Sequence, residues 1–316
     1  TLSVQAPLAL PAITAISSEQ LTERAIFNDT DLQTAVAGLV VRASGSSNLF
    51  NFAIRGQSID TYTNSPPAVV TYLNDVPITT HGSSALYDLE QVQVLKGPQG
   101  TLFGRNTTGG AILYRTAQPH DKIEGFLSGR YGSFDSRNIQ GAISIPLSDK
   151  LGIRLAGSYT GGGAFQHDLL NDRWLGEQDI KSFRGTISFK PTDSFTNVTV
   201  VQHNKEGGNN TSTLPFSSYA CGQTFRGADG VTRNIGASSN LCAWTPANPV
   251  FAAYLAAHPL LPQGGYLNVA QIQRNIGPWK TYINRDLYHK AHSTTVTNNT
   301  TWEINDDMTL KNVFGF

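Results

Sequence analysis

Residues 89–112 read LEQVQVLKGPQGTLFGRNTTGGAI, and this stretch decides the fold more than any other part of the chain. It opens with a β-rich run, Gln91–Leu95, whose apolar residues recur at every second position, as in a strand. Gly97-Pro98-Gln99-Gly100 then predicts a tight turn, because proline fixes φ at the second position and glycine closes the turn. The three glycines that follow predict positive φ angles or a close approach of two backbones; they are Gly104, Gly109 and Gly110.

Short elements surround this stretch and predict a small mixed domain. Ser17 and Gln20 have the spacing of a capping box, so a helix is expected from there to about Phe27. A second helix is expected to begin near Asp29–Asp31 and to end at Gly38. Clusters of Ser, Asn, Pro and Gly separate the β-rich runs, which are Leu39–Ala43, Phe52–Arg55, Ala68–Leu73, Gln91–Leu95 and Ala111–Arg115. Two helices against a small sheet is the arrangement we expect.

Three motifs in fixed order resemble the plug domain of TonB-dependent outer-membrane receptors. They are Ile54-Arg55-Gly56, the run VTYLNDVP at residues 70–77, and residues 89–112. The resemblance implies a plug over residues 1–119, with its N-terminus in the periplasm and a transmembrane β-barrel after it. The energy-coupling segment of this family lies near the N-terminus. Thr1–Ala6 resembles it faintly, and the alternative is a segment upstream of Thr1.

The sequence from residue 120 onward predicts antiparallel barrel strands. Apolar and polar residues alternate with a period of two, in the runs Ile123–Tyr131, Ile139–Leu147, Leu151–Tyr159, Phe183–Phe189 and Met308–Phe316. Short turns at residues 148–150, 191–194 and 305–307 contrast with long links at about 161–179 and 204–288. Short turns at one end and long loops at the other are typical of outer-membrane barrels.

About seven such strands are expected within residues 120–316. Plugged outer-membrane transporters have about 22 strands, and an open sheet edge in lipid leaves backbone groups unpaired. We therefore expect an incomplete barrel, that is, a fragment of a longer protein. A short helix is expected in the long link, beginning with Asn248 and Pro249.

Composition excludes several classes of protein. The formal net charge is zero, which gives no basic surface for nucleic acid. No apolar run reaches the roughly 18 residues that a transmembrane helix needs. No serine-hydrolase elbow, zinc-protease motif or recognisable carboxylate pair is present, so neither a catalytic residue nor a metal site nor a cofactor is predicted. The seven histidines are scattered.

The resemblance also implies site residues and partners. TonB, a nutrient ligand and outer-membrane lipid are the expected partners of a monomeric importer. Candidate ligand contacts at the plug apex are Phe50, Tyr62, His81 and Tyr87. In the family, two plug arginines pair with barrel glutamates as a latch. Here Arg55 matches the first and Lys96 replaces the second, which keeps the charge but loses the bidentate geometry.

Two questions stay open at the level of sequence. Cys221 and Cys242 lie in one polar stretch, where they form either a disulfide in an oxidising compartment or two unpaired thiols. The cargo is expected to be a ferric siderophore or a similar chelate, with an oligosaccharide or an aromatic compound as further options. The alternatives to transport are a surface β-rich binding protein, such as a lectin or adhesin, and a β-rich hydrolase.

Overall fold

The computed structural model describes most of the chain, and its residues fall into two compact units. The first unit contains residues 1–164, 176–210 and 288–316, and the second contains residues 165–175 and 211–287. The residues described are 12–43, 50–59, 66–78, 86–104, 106–214, 224–226, 230–234, 249–257, 259, 265–283 and 285–316. Five predicted features lie outside them: the Thr1–Ala6 segment, Tyr62, His81, Cys221 and Cys242.

A small α+β domain forms the N-terminal part of the first unit. Its elements are β1 Ala12–Ser17, α1 Ser18–Glu23, α2 Leu32–Ala35, β2 Leu39–Ala43, β3 Phe50–Ile54, β4 Val69–Leu73, β5 Val76–Ile78, β6 Leu89–Lys96, α3 Gly100–Phe103 and β7 Gly110–Thr116. Five strands form one sheet in the order β1-β6-β7-β4-β5, and β2 pairs with β3 separately. β4 and β7 are parallel, while the other pairs are antiparallel.

The predicted helix start is confirmed, but the predicted helix end is wrong. Ser17 and Gln20 form the capping box. The helix ends at Glu23 rather than Phe27, because Ala25 adopts a left-handed φ of 53°. The Ile26 amide then donates to the Leu21 carbonyl at 2.9 Å, which is the hydrogen bond of a Schellman termination. The edge strands β1 and β5 were not anticipated.

A buried carboxylate lies inside this small domain. Asp29 is buried, and the Tyr114 hydroxyl donates to its Oδ1 at 2.6 Å. Burial raises the pKa of Asp29 from 3.8 to about 6; the bond from Tyr114 lowers the pKa and the nearby Asp31 raises it. Burial also raises the pKa of Tyr114 well above its ordinary value. Loss of solvation is the dominant cause, because a charged carboxylate is poorly tolerated away from water.

The rest of the described chain is mainly antiparallel strand. Its elements are β8 Glu124–Gly132, β9 Ser136–Ser148, β10 Leu151–Gly162, β11 Gln166–Asp168, β12 Arg173–Leu175, β13 Gln178–Thr192, β14 Phe195–Gly208, β15 Thr224–Arg226, β16 Thr232–Asn234, α4 Pro249–Ala257, α5 Gly265–Ile276, β17 Lys280–Thr281, β18 Ala291–Asn305 and β19 Met308–Gly315. Seven of these strands form one sheet in the order β19-β18-β14-β13-β10-β9-β8. We call this sheet the strand wall.

The central strands of the strand wall bury polar side chains on one face and expose apolar side chains on the other. On β13, Phe183 and Ile187 are 56% and 47% exposed, whereas Arg184 and Thr186 are each 1% exposed. A water-soluble sandwich buries the apolar residues of its strands instead. The observed pattern is that of a barrel wall, whose outer residues contact lipid and whose inner residues are polar.

The connections of the strand wall follow the predicted asymmetry. Asp149-Lys150, Asp193-Ser194 and Asp306-Asp307 are two-residue turns at one end. At the other end, a 3-10 turn at Ser133–Asp135 joins β8 to β9, and longer links cover residues 163–177 and 209–290. The second link begins later than expected, because β14 continues to Gly208.

The second unit contains the described parts of these two links. A three-stranded sheet has the order β12-β11-β17, and β15 pairs with β16. Asp168 is buried and fixes the turn after β11, since its Oδ1 accepts from the Leu170 and Ile283 amides, each at 3.1 Å. α4 matches the predicted helix, whereas α5 was not anticipated. Of the helices that the structure describes, none has the length and apolarity needed to cross a membrane.

Replacing Asp29 with Asn is expected to remove a pH dependence of the small domain's stability. The folded-state pKa of about 6 lies above the ordinary value of 3.8, so the ionised form destabilises the folded state. Stability therefore rises as the pH falls through 6 and levels off near 4, by at most about 3 kcal/mol. Hydrogen exchange of β7 amides between pH 7.5 and pH 5, corrected for the intrinsic rate, measures this change. An Asp29→Asn variant that keeps the full wild-type slope would contradict the assignment, and Asp193→Asn on an exposed turn is the control.

Candidate functional site

The small domain is fastened to the strand wall at a sharp bend immediately before β6. Asp88 has a left-handed φ of 48°, a conformation that Asp tolerates better than most residues. Its carboxylate accepts from Arg154 Nε at 3.0 and 3.1 Å and from Nη2 at 2.5 Å. The two side chains are only 3% and 6% exposed. This is a bidentate, charge-assisted pair inside the protein, which is the strong form of such a contact.

The wall holds Arg154 in place for this contact. Arg154 is on β10 with its side chain on the buried polar face, and its Nη1 donates to Ser144 Oγ on β9 at 2.6 Å. Ala142 and Ala156 belong to the same face and pack against Tyr87. Small residues beside the arginine leave room for the Tyr87–Asp88 bend to enter the wall.

A second arginine, Arg184 on β13, closes over the same bend. Its guanidinium carbon lies 4.2 Å from the centre of the Tyr87 ring, the geometry of a cation–π contact. Its Nη1 donates to the carbonyls of Tyr87 and Asp88 at 2.9 and 3.1 Å, and its Nε donates to Gln202 Oε1 at 2.9 Å. Two arginines thus surround one aspartate at this bend.

A weaker attachment joins the β4–β5 turn to the end of the strand wall. Asn299 Nδ2 donates to the Asn74 carbonyl at 3.1 Å, and Asn74 Nδ2 reaches Thr297 Oγ1 at 3.5 Å. Lys311 pairs with Asp75 at 3.1 Å, with side chains that are 56% and 35% exposed. Ion pairs that are accessible to solvent contribute little. A polar cavity of about 170 Å³ lies beside this turn.

The predicted ligand contacts fall in different places. Phe50 is buried in the core of the small domain, and Tyr87 is buried against Arg184 and the wall. Neither ring faces solvent in this structure. Tyr62 and His81 lie outside the described residues, so the four are not seen together, and a ligand contact by any of them stays a prediction.

The predicted latch residues lie near each other in the small domain. Arg55 is exposed and has a left-handed φ of 52°, with its amide donating to the Gly38 carbonyl at 3.0 Å. Its Nη1 would lie 3.8 Å from a Cβ built on Gly97, the residue after Lys96. Lys96 itself is half-buried. Pairing of Arg55 and Lys96 with barrel glutamates stays a prediction.

The five predicted glycines occupy two strand ends and the segment between them, Gly97, Gly100, Gly104, Gly109 and Gly110. The expected tight turn is instead a bend that leads into α3, which starts at Gly100. Gly110 cannot be replaced, since a Cβ there would overlap the Leu95 carbonyl oxygen. Its φ of 150° also lies in the glycine region. These residues shape the small domain and perform no chemistry.

Sequence reasoning missed the Asp88–Arg154 pair. Arg154 and Arg184 were visible as charged residues on the polar side of predicted strands, and Asp88 directly precedes the diagnostic stretch. Inward-facing arginines on barrel strands need a carboxylate or carbonyl partner, which was the available signal. Within the part of the chain that the structure describes, no group of three or more His, Cys, Asp or Glu residues could hold a metal ion. The contacts at the Tyr87–Asp88 bend attach the small domain to the strand wall.

The sequence and the fold were compared with those of known proteins. Residues 8–111 match the family "TonB-dependent Receptor Plug Domain". The whole described fold is similar to the ferric yersiniabactin uptake receptor FyuA from Yersinia pestis, with a TM-score of 0.72 over 97% of this chain at 18% identity. Residues 8–111 thus match a receptor plug domain, and the described fold is that of the plug and barrel strands of TonB-dependent receptors. The small domain corresponds to the plug of those receptors, and the strand wall corresponds to strands of their barrel.

Two further proteins are similar to this chain. The pesticin receptor of Yersinia enterocolitica is 34% identical over 150 residues, which is 46% of this chain. The siderophore receptor PiuA from Acinetobacter baumannii has a TM-score of 0.67 over 97% of this chain at 14% identity. The chain matches 21% of the pesticin receptor's length and covers 40% of FyuA and 36% of PiuA.

Neutralising one partner of the buried pair is expected to loosen the plug. Asp88→Asn leaves Arg154 charged and buried, and such single losses cost about 3–5 kcal/mol. Native-state hydrogen exchange at the Ala117 amide measures this loss of stability, because the amide donates to the Asp88 carbonyl at 3.1 Å. The matched control is Asp75→Asn at the exposed pair, for which less than about 1 kcal/mol is expected. Equal effects of the two variants would contradict the role given to the buried pair.

Proposed function

We propose that this receptor imports a scarce nutrient across the outer membrane in a process energised by TonB. The observation that carries the proposal is the chemistry of the described plug–wall contact, in which hydrogen bonds and a buried ion pair join the plug to the polar face of the wall. A plug fixed by a continuous apolar interface would be hard to move. A plug held by hydrogen bonds and one buried ion pair releases when those contacts break.

The proposed cycle follows from these contacts. A ligand binds at the outer side of the plug, and TonB then pulls on the segment before β1 from the periplasm. β1 pairs with β6 along residues 12–17 and 91–96, so tension on β1 is transmitted to the strand that follows Asp88. Once the Asp88–Arg154 pair breaks, the bend leaves the wall and opens a path for the ligand.

A ferric siderophore or a similar chelate is the cargo that we propose. FyuA is described as a ferric yersiniabactin uptake receptor, and PiuA as a siderophore receptor. Both names concern those proteins, and their low identity to this chain shows the fold alone. The plug segments nearest the predicted apex, with Tyr62 and His81, are the proposed place of contact. A disulfide between Cys221 and Cys242 is proposed to brace the long external link.

Transport of radioactive iron into whole cells tests the proposed function. Cells lacking the full-length gene are expected to lose both binding and uptake of one or more ferric siderophores from a panel. Cells lacking TonB are expected to keep binding and to lose uptake, because binding needs no energy and plug movement does. Restoration of uptake by the cloned gene is the control.

Two results would contradict the proposal. Uptake that continues at the wild-type rate without TonB would exclude energised plug movement. If no ferric chelate binds and an oligosaccharide or an aromatic compound does, the proposed cargo is contradicted while the proposed transport is not.

A further inference from the structure

Two buried polar groups without partners meet where the Tyr87–Asp88 bend contacts β13. Neither the Tyr87 hydroxyl nor Arg184 Nη2 has a hydrogen-bond partner within the described structure. Tyr87 is 3% exposed and Arg184 is 1% exposed. Buried polar groups in native proteins are nearly always paired, so two in one contact require an explanation.

These two groups oppose the contacts that hold the plug. A buried donor without a partner loses its bonds to water and gains nothing in return. Asp88 adds a left-handed backbone conformation at the same bend. Two kinds of contact offset these costs. They are the bidentate Asp88–Arg154 pair and the hydrogen bonds from Arg184 to two plug carbonyls. The contact is therefore attractive at the carboxylate and unfavourable at the hydroxyl.

We propose that Tyr87 sets how readily the plug leaves the barrel wall, by keeping its hydroxyl dry and unpaired while the plug is closed. When the bend moves out, water reaches this hydroxyl and Arg184 Nη2, so their hydration favours the open plug. Release of the bend requires breaking the Asp88–Arg154 pair and the two hydrogen bonds from Arg184 Nη1 to the plug carbonyls. Tyr87 is a positioning residue of the plug and not a ligand contact in this role. The inference about its role in import rests on the proposed function.

Tyr87→Phe tests the inference, because it removes one oxygen and keeps the ring that packs on Arg184 and Ala142. Losing an unpaired buried hydroxyl is expected to stabilise the closed plug. Exchange at the Ala117 amide, which reports on the Asp88 bend, should slow by about threefold to tenfold. The measurement uses the full-length protein in outer membranes without TonB.

Tyr72→Phe is the matched control. Tyr72 is another buried plug tyrosine, but its hydroxyl donates to the Phe103 carbonyl at 2.8 Å. The same substitution there breaks a hydrogen bond, so exchange of the β4 and β7 amides should speed up by about threefold to tenfold. Opposite signs from two identical substitutions separate an unpaired hydroxyl from a paired one.

The outcomes are distinct. Slower exchange in Tyr87→Phe, with slower TonB-dependent uptake per bound ligand, supports both the inference and the proposed function. Slower exchange with no TonB-dependent uptake in any variant supports the inference and overturns the proposed function. Exchange at Ala117 that is faster, or unchanged within twofold, overturns the inference, because the hydroxyl would then be stabilising or without effect.

Discussion

The alternation of side chains across the strand wall is the constraint on which the rest of the structure depends. Successive residues of a strand face opposite sides of the sheet, so a strand can carry apolar residues outward, such as Phe183 and Ile187, and polar residues inward. Arg154 and Arg184 occupy such inner positions. They need carboxylates or carbonyls as partners, and the plug supplies both at Asp88. The exposed apolar surface and the plug attachment therefore come from a single repeating pattern.

The plug is built to fit this polar surface without becoming part of it. Its own apolar residues pack into a separate core around Leu32, Ile54 and Ile112. Its described contacts with the wall include the Tyr87–Asp88 bend, the turn at Asn74 and the Phe27 ring beneath Arg130. Two cores joined mainly by polar contacts are expected to separate more easily than one shared core, since less apolar surface is exposed when they part. This division suits the plug movement proposed above.

The sequence predicted the broad fold because its signals were local. Period-two alternation at Phe183–Phe189 and the motif at residues 89–112 are both readable without tertiary information. β5 was not predicted, because it has only three residues and contains Pro77. The end of α1 was predicted wrongly, because alanine rarely adopts the left-handed conformation that Ala25 has here. The Asp88–Arg154 pair spans 66 residues, so no short-range pattern shows it. Burial of Phe50 and Tyr87 was equally hidden, because an aromatic residue suits a core and a ligand site alike. The boundary between residues 119 and 120 stays a prediction.

The central claim is that the strand wall faces lipid outside and the plug inside. Single cysteines at Phe183, Ile187, Thr186 and Ser188, each carrying a spin label in outer membranes, test it most directly. Labels at the two outward positions should be relaxed strongly by oxygen and weakly by a water-soluble nickel complex, while labels at the two inward positions should respond weakly to oxygen. Labels at Phe183 and Ile187 that respond mainly to the nickel complex would place this face in water and contradict the account.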